Sequence, residues 1–180
     1  PERCASCGIC VGACEYQAID LPNLTEGDMK DEIKRLSVEL REAGGGGGER
    51  GSVFVFLCKW GVESGAGSKG SPFEDLPWVT VMKVPCIGMV QPLMLAIPFE
   101  EGVDGVLVAG CRPIDCNYRY GNAWFAGRFQ GYRPPVVRRS LDRDRVRYLR
   151  LSAVETDEFG EELGRFHEEL REELRGGGKG

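Results

Sequence analysis

Three short runs rich in β-branched and aromatic residues each end at a cysteine, and this pattern restricts the fold more than any other feature of the chain. Residues 52–57 (Ser-Val-Phe-Val-Phe-Leu) stop at Cys58, residues 78–84 stop at Pro85 and Cys86, and residues 104–109 (Asp-Gly-Val-Leu-Val-Ala) stop at Gly110 and Cys111. All three have strand length but lack the strict two-residue alternation of a strand with one wet face, so they belong in a sheet covered on both sides. Helical patterns lie between and after them. Val90, Leu93, Met94 and Ile97 form an apolar stripe, residues 121–130 read as a helix and 145–151 as a fourth strand. Phe159, Leu163, Phe166, Leu170 and Leu174 mark a long last helix. Alternating strands and helices predict an α/β fold with a doubly wound, mostly parallel sheet. Right-handed crossovers then put all strand carboxyl ends along one edge.

That edge gathers thiols. Cys58, Cys86 and Cys111 sit at or just past strand ends, and Cys116 follows five residues after Cys111 in the next loop. Open α/β sheets bind ligands in the crevice at this edge. Four thiolates from separate loops suit a 2Fe-2S cluster or a structural zinc ion. Gly88, Gly110 and Gly121 lie nearby, where missing side chains let backbone amides approach sulfur. The plainer alternative is that these cysteines act as small hydrophobes in a core.

A separate cysteine-rich head occupies residues 1–22, and a helix and linker follow it over residues 23–51. In the helix, Met29, Ile33, Leu36 and Leu40 recur among charges, Thr25 is the N-cap candidate, and five glycines at 44–48 stop it. Residues 52–180 make up the α/β domain. The head carries Cys4, Cys7, Cys10 and Cys14 in the spacing C-x2-C-x2-C-x3-C. Cys7-Gly8-Ile9-Cys10, with Ala18-Ile19 downstream, resembles the cluster-binding loop of bacterial-type ferredoxins, which implies a 4Fe-4S cluster. Three thiolates on such a loop cap three irons of one cubane while the fourth points away. Zinc sites instead favour paired knuckles separated by a dozen or so residues. Glu15 stands where the ferredoxin pattern has proline, and only one such motif is present. Cys14 therefore either completes this cluster or serves one completed by a partner, and the chain is expected to start inside a ferredoxin-like unit.

Composition narrows the chemistry. The chain has 180 residues, 8 cysteines, one histidine and a formal charge of -5. With His167 the lone imidazole, any metal site is mostly sulfur, which selects iron–sulfur clusters, zinc or copper(I) over magnesium and calcium. No apolar run approaches the roughly 18 residues of a membrane span, and so many cysteines suit a reducing, cytoplasmic setting better than disulfides do. Arginines at 128, 133, 138, 139, 143, 145, 147 and 150 form a basic stretch without interleaved aromatics in a chain of acidic balance. Such a stretch is expected to be solvated and to face the acidic last helix or a partner, not nucleic acid. His167 is placed on the polar side of that helix. A serine nucleophile elbow, a dinucleotide fingerprint and a phosphate loop are all missing: glycines 44–48 lack a preceding strand and a lysine, and residues 65–70 lack the spacing. No C-x-x-C opens a predicted helix of the α/β domain, as a thiol redox enzyme would need.

Four segments of the α/β domain share one resemblance. They are Phe56-Leu57-Cys58-Lys59-Trp60, Val84-Pro85-Cys86-Ile87-Gly88-Met89-Val90, residues 102–111, and Asp115-Cys116-Asn117-Tyr118-Arg119-Tyr120-Gly121-Asn122. Together, over about residues 52–175, they resemble the delta subunit of methyl-viologen-reducing hydrogenase. The resemblance implies a non-catalytic electron-transfer subunit with a 2Fe-2S cluster held by Cys58, Cys86, Cys111 and Cys116. Its implied partners are a hydrogenase, formate dehydrogenase or related donor and a heterodisulfide reductase-like flavoprotein. The family usually has a further cysteine where this chain has Gly61. A zinc-thiolate adaptor of a multisubunit complex is the competing reading. Trp60, Trp78, Tyr118, Tyr120, the arginines around Arg138 and Arg139, and the amphipathic first helix are the expected partner contacts.

Overall fold

Two strands with every residue buried form the centre of the computed structural model: β1 (Val53–Cys58) and β3 (Gly105–Cys111). They pair in parallel, and β2 (Val79–Val84) and β4 (Val146–Leu151) flank them in the order β2-β1-β3-β4, all parallel. The edge strands carry the only partly exposed strand positions, as a sheet covered on both faces requires. The structure describes residues 4–22, 24–43, 51–62, 73, 76–137 and 141–176. The glycines at 44–48, the loop at 65–70 and the pair Arg138 and Arg139 lie outside them.

Alternate side chains of β1 feed two different cores. Phe54 and Phe56, with Val106, Val108, Met82 and Val84, face α2 (Glu26–Ala43), α3 (Pro92–Glu100) and α4 (Gly121–Gln130). Val53, Val55, Leu57 and Leu107 face α5 (Thr156–Gly176), whose Phe159, Leu163, Phe166 and Leu170 are all buried. Each such side chain contributes about 1.5–3 kcal/mol on leaving water, so both layers drive the sheet together. Gly105 lets α5 close on β3, since a side chain there would collide with Leu170 and Phe166.

Thr25 caps α2 as its sequence suggests. Its hydroxyl accepts from the Asp28 amide at 3.1 Å, while the Asp28 carboxylate accepts from the Thr25 amide at 2.9 Å. The apolar stripe of α2 is not a free docking surface, however: Met29, Ile33 and Leu40 are buried in the chain's own core. The exposed face of α2 instead carries Arg35 paired with Glu32 and Glu39.

Three further expectations change. His167 is buried, its Nδ1 lies 2.7 Å from the Gly51 carbonyl oxygen, and its ring stacks on Trp78 at 3.9 Å. A contact with residues outside α5 thus draws it out of the solvated face. Trp78, just before β2, consequently sits at the amino ends of the strands, away from the thiols. Arg128 is 1% exposed, so the basic stretch is not wholly solvated. Arg147 does face the acidic helix, pairing with Glu162 and Glu169 of α5. Among the described residues no helix is long and apolar enough to cross a membrane.

Candidate metal centre

The strand order decides where the thiols meet. The chain steps from β1 outward to β2 and then returns across β1 to β3, so the connections after β1 and β3 diverge, leaving a crevice at their carboxyl ends. Cys58 and Cys111 are the last residues of these two strands, and their Sγ atoms stand 3.7 Å apart. Cys86 reaches the same place from the turn after β2, because Val84 aligns with Cys58 and the chain then folds back in a 3-10 turn over Ile87–Met89. Cys116 follows a second 3-10 turn, Pro113–Asp115. All four thiols are buried.

Their electrostatics are those of one shared site. Thiol donors from Cys111 and Cys86, then the amides of Trp60 and Ile87, hold the Cys58 sulfur as a thiolate far below the ordinary thiol range despite burial. The hydrogen bond to that thiolate, burial, and the charge on Cys116 hold the protons of Cys86 and Cys111 more tightly than usual. Such groups lose their protons as a set, not one by one. The Gly88 amide donates to Cys86 Sγ at 3.4 Å.

The three glycines let other groups close on this site. A side chain on Gly121 would overlap Cys86 Sγ, one on Gly110 would overlap Ile87, and one on Gly88 would stand 2.7 Å from Gly121 Cα. Gly61 lies against Cys58, where a Cβ would come 3.2 Å from the Cys58 carbonyl oxygen. Trp60, 41% exposed, donates its indole N–H to Tyr118 Oη at 3.2 Å, and Tyr120 is 62% exposed. This aromatic rim adjoins the ligand loops on the solvent side. Among the described residues, no cluster of three or more Cys, His, Asp or Glu side chains stands in the tight grouping that one metal ion takes.

The head packs on the Cys86 turn. Gly8, at φ 74, turns the chain into α1 (Ile9–Ala13), with Cys10 inside it and Cys14 at its end. Cys4 and Cys10 are exposed, Cys7 and Cys14 half-buried, and the Ala18 amide donates to Cys14 Sγ at 3.2 Å. No thiol–thiol contact joins these four among the described residues, in contrast to Cys58 and Cys111. Ile9 lies over Gly88 and Gly121, the Gln91 side-chain amide donates to the Val11 carbonyl at 2.9 Å, and a Cβ on Gly12 would strike the Gly88 carbonyl. The head motif and the sheet-edge thiols are therefore packed neighbours.

Residues 53–173 match the family described as methyl-viologen-reducing hydrogenase, delta subunit. The chain belongs to this family. Among relatives of this delta-subunit chain, a subunit of the ferredoxin/F420H2-dependent CoB-CoM heterodisulfide reductase from Methanosarcina acetivorans is 31% identical over 96% of the chain and 25% of the relative. The iron-sulfur subunit of the F420-non-reducing hydrogenase of Archaeoglobus profundus is 31% identical over 67% of the chain and 88% of the relative. The vhc iron-sulfur subunit of the F420-non-reducing hydrogenase of Methanococcus voltae is 30% identical over 59% and 75%. The chain spans a quarter of the length of the heterodisulfide reductase subunits it matches.

Several residues around the site carry no motif. Asn122 is 1% exposed, and its Oδ1 accepts from the Tyr148 hydroxyl of β4. Burial raises the Tyr148 pKa, keeping it a neutral donor. Arg128 donates from Nη2 to the Gly88 carbonyl at 2.6 Å and to the Val90 carbonyl at 3.3 Å. One signal for both was available: Gly121, Phe125 and Arg128 follow i, i+4, i+7 spacing, which places them on one helix face, with Asn122 beside them.

Proposed function

We propose that this chain is an electron-carrying iron–sulfur subunit of a hydrogenase- and heterodisulfide reductase-type redox complex. In this reading Cys58, Cys86, Cys111 and Cys116 hold a 2Fe-2S cluster, and Cys4, Cys7, Cys10 and Cys14 hold a 4Fe-4S cluster in the head. The observation that carries it is the convergence of four buried thiols from four loops on the topological switch point, one already a thiolate. Relatives named as iron-sulfur subunits support the same chemistry.

The residues present fit such a cluster. The amides of Trp60 and Ile87 and that of Gly88 donate to sulfur on Cys58 and Cys86, and the glycine cradle leaves Cys86 Sγ unobstructed. When bound, a cluster of this kind takes up and gives back one electron at a time. The chain's own side chains fix its ligands on rigid strand ends, exclude water from three sides, and present Trp60 and Tyr120 to a partner. Ile9 bridges from the head to the Cys86 turn, so electrons arriving at one thiol set have a packed route to the other. The partners in this reading are a donor of hydrogenase or formate dehydrogenase type and a heterodisulfide reductase-like flavoprotein.

Iron, zinc and acid-labile sulfide determination with EPR on the anaerobically purified chain tests this reading. About six irons per chain, with reduced-state signals of both cluster types, is the expected result. Cys58→Ser should abolish the 2Fe-2S signal and leave the head signal. Zinc without labile sulfide would overturn the proposal and leave a zinc-thiolate adaptor.

A further inference from the structure

Arg128 is a buried charge without an obvious reason to be there. It lies in the last turn of α4, is 1% exposed, and no carboxylate of the described residues pairs with it. Nη2 is used on the Gly88 and Val90 carbonyls, but Nε and Nη1 have no partner. A guanidinium stays protonated in proteins, and burial lowers its pKa only to about 10. Its neighbour Arg133, stacked 3.7 Å over Trp124, adds like charge and has a buried, unpartnered Nε of its own. Taking an unpaired cation out of water costs several kcal/mol unless an opposite charge compensates it.

The compensating group lies on the far side of the Gly88 turn. The anion that acts on Arg128 is the Cys86 sulfur, and Gly88 touches both, its amide donating to Cys86 Sγ and its carbonyl accepting from Arg128. A centre ligated by four thiolates carries net negative charge, and each added electron increases it. Net charge near a cluster is one of the protein's means of setting its reduction potential.

We infer that Arg128 is the buried counter-charge of the centre built by Cys58, Cys86, Cys111 and Cys116, and that it raises that centre's reduction potential by favouring the more negative, reduced form. The inference rests on the iron–sulfur reading above. It assigns to α4 a role in setting the potential at which the chain passes electrons, in addition to packing.

An EPR-monitored redox titration of the full chain, wild type against Arg128→Lys, Arg128→Gln and Arg128→Met, tests it. Gln and Met should lower the reduced-to-oxidised ratio of the sheet-edge cluster at fixed poise at least tenfold, which for a one-electron couple is about 59 mV. Lys keeps the charge and should stay within about threefold of wild type. The inference is overturned if Lys shifts the ratio as far as Met, or if none of the variants shifts it; Arg128 then only ties the Gly88–Val90 turn. Should the Met variant fail to fold by circular dichroism, Gln against Lys decides. A wild-type chain with no redox-active cluster would sink the iron–sulfur reading instead. In that case, titration of the apo chain with cadmium, read by thiolate–metal absorbance, still judges Arg128. Gln should weaken binding at least tenfold and Lys should not, and equal affinities would overturn the counter-charge.

Discussion

Gly121 makes one of the tightest approaches at the thiol site, because Cys86 Sγ occupies the space where its side chain would lie. The collision is with the end of a side chain, so an added methyl is accommodated by rotating Cys86, not by moving backbone. Gly121→Ala is therefore expected to leave the fold intact, since alanine favours the helix by up to about 1 kcal/mol over glycine. It should sharply lower the iron held at the sheet edge. Thermal unfolding together with iron content checks this, and full iron in a folded variant would mean that Cys86 is not held as a ligand in this pose. Gly121 stands out in the sequence by its place beside Cys116, but His167 and Arg128 carry no distinguishing sign there. One is an ordinary residue of an acidic helix and the other one arginine of a run. What buries them comes from elsewhere: Trp78 and Gly51 for His167, Gly88 and Val90 for Arg128.

The strands and helices were legible because each is long enough for its period to show. Predicted strand ends at Cys58 and Cys111 agree with β1 and β3, and residues 121–130 coincide with α4. The seating of α1 was not legible, since five residues carry no period and its contacts reach to Gly88 and Gln91. Gly12 is the element's contact point: a Cβ there would meet the Gly88 carbonyl, a backbone atom that cannot rotate away. Gly12→Ala should displace α1 at a local cost of about 1–3 kcal/mol, the usual range for overpacking. Hydrogen exchange is the measurement. Faster exchange over residues 8–14 with unchanged protection in β1 and β3 is expected, whereas unchanged protection of α1 would mean that the head is not held by this contact.

At the scale of the whole molecule, two thiol sets lie on one continuous piece of structure but depend on it differently. Cys58, Cys86, Cys111 and Cys116 are buried at strand ends and turns that the sheet itself positions, so their arrangement follows from the topology β2-β1-β3-β4. The parallel sheet could be read from the strand–helix alternation. The neighbourhood of the two sets could not, because it depends on how a short head folds back across a join of 80 residues in sequence. Cys4 and Cys10 are exposed and Cys7 and Cys14 only half-buried, with no contact among them, so their side chains contribute little to the α/β core. Replacing all four by alanine should therefore keep the melting temperature within a few degrees of wild type, as surface changes of about 0.5 kcal/mol or less do. In the iron–sulfur reading this variant retains about two irons and the 2Fe-2S EPR signal while losing the 4Fe-4S signal. Loss of both signals in a folded variant would mean that the two thiol sets hold a single centre between them, and the relay of two neighbouring clusters would fail.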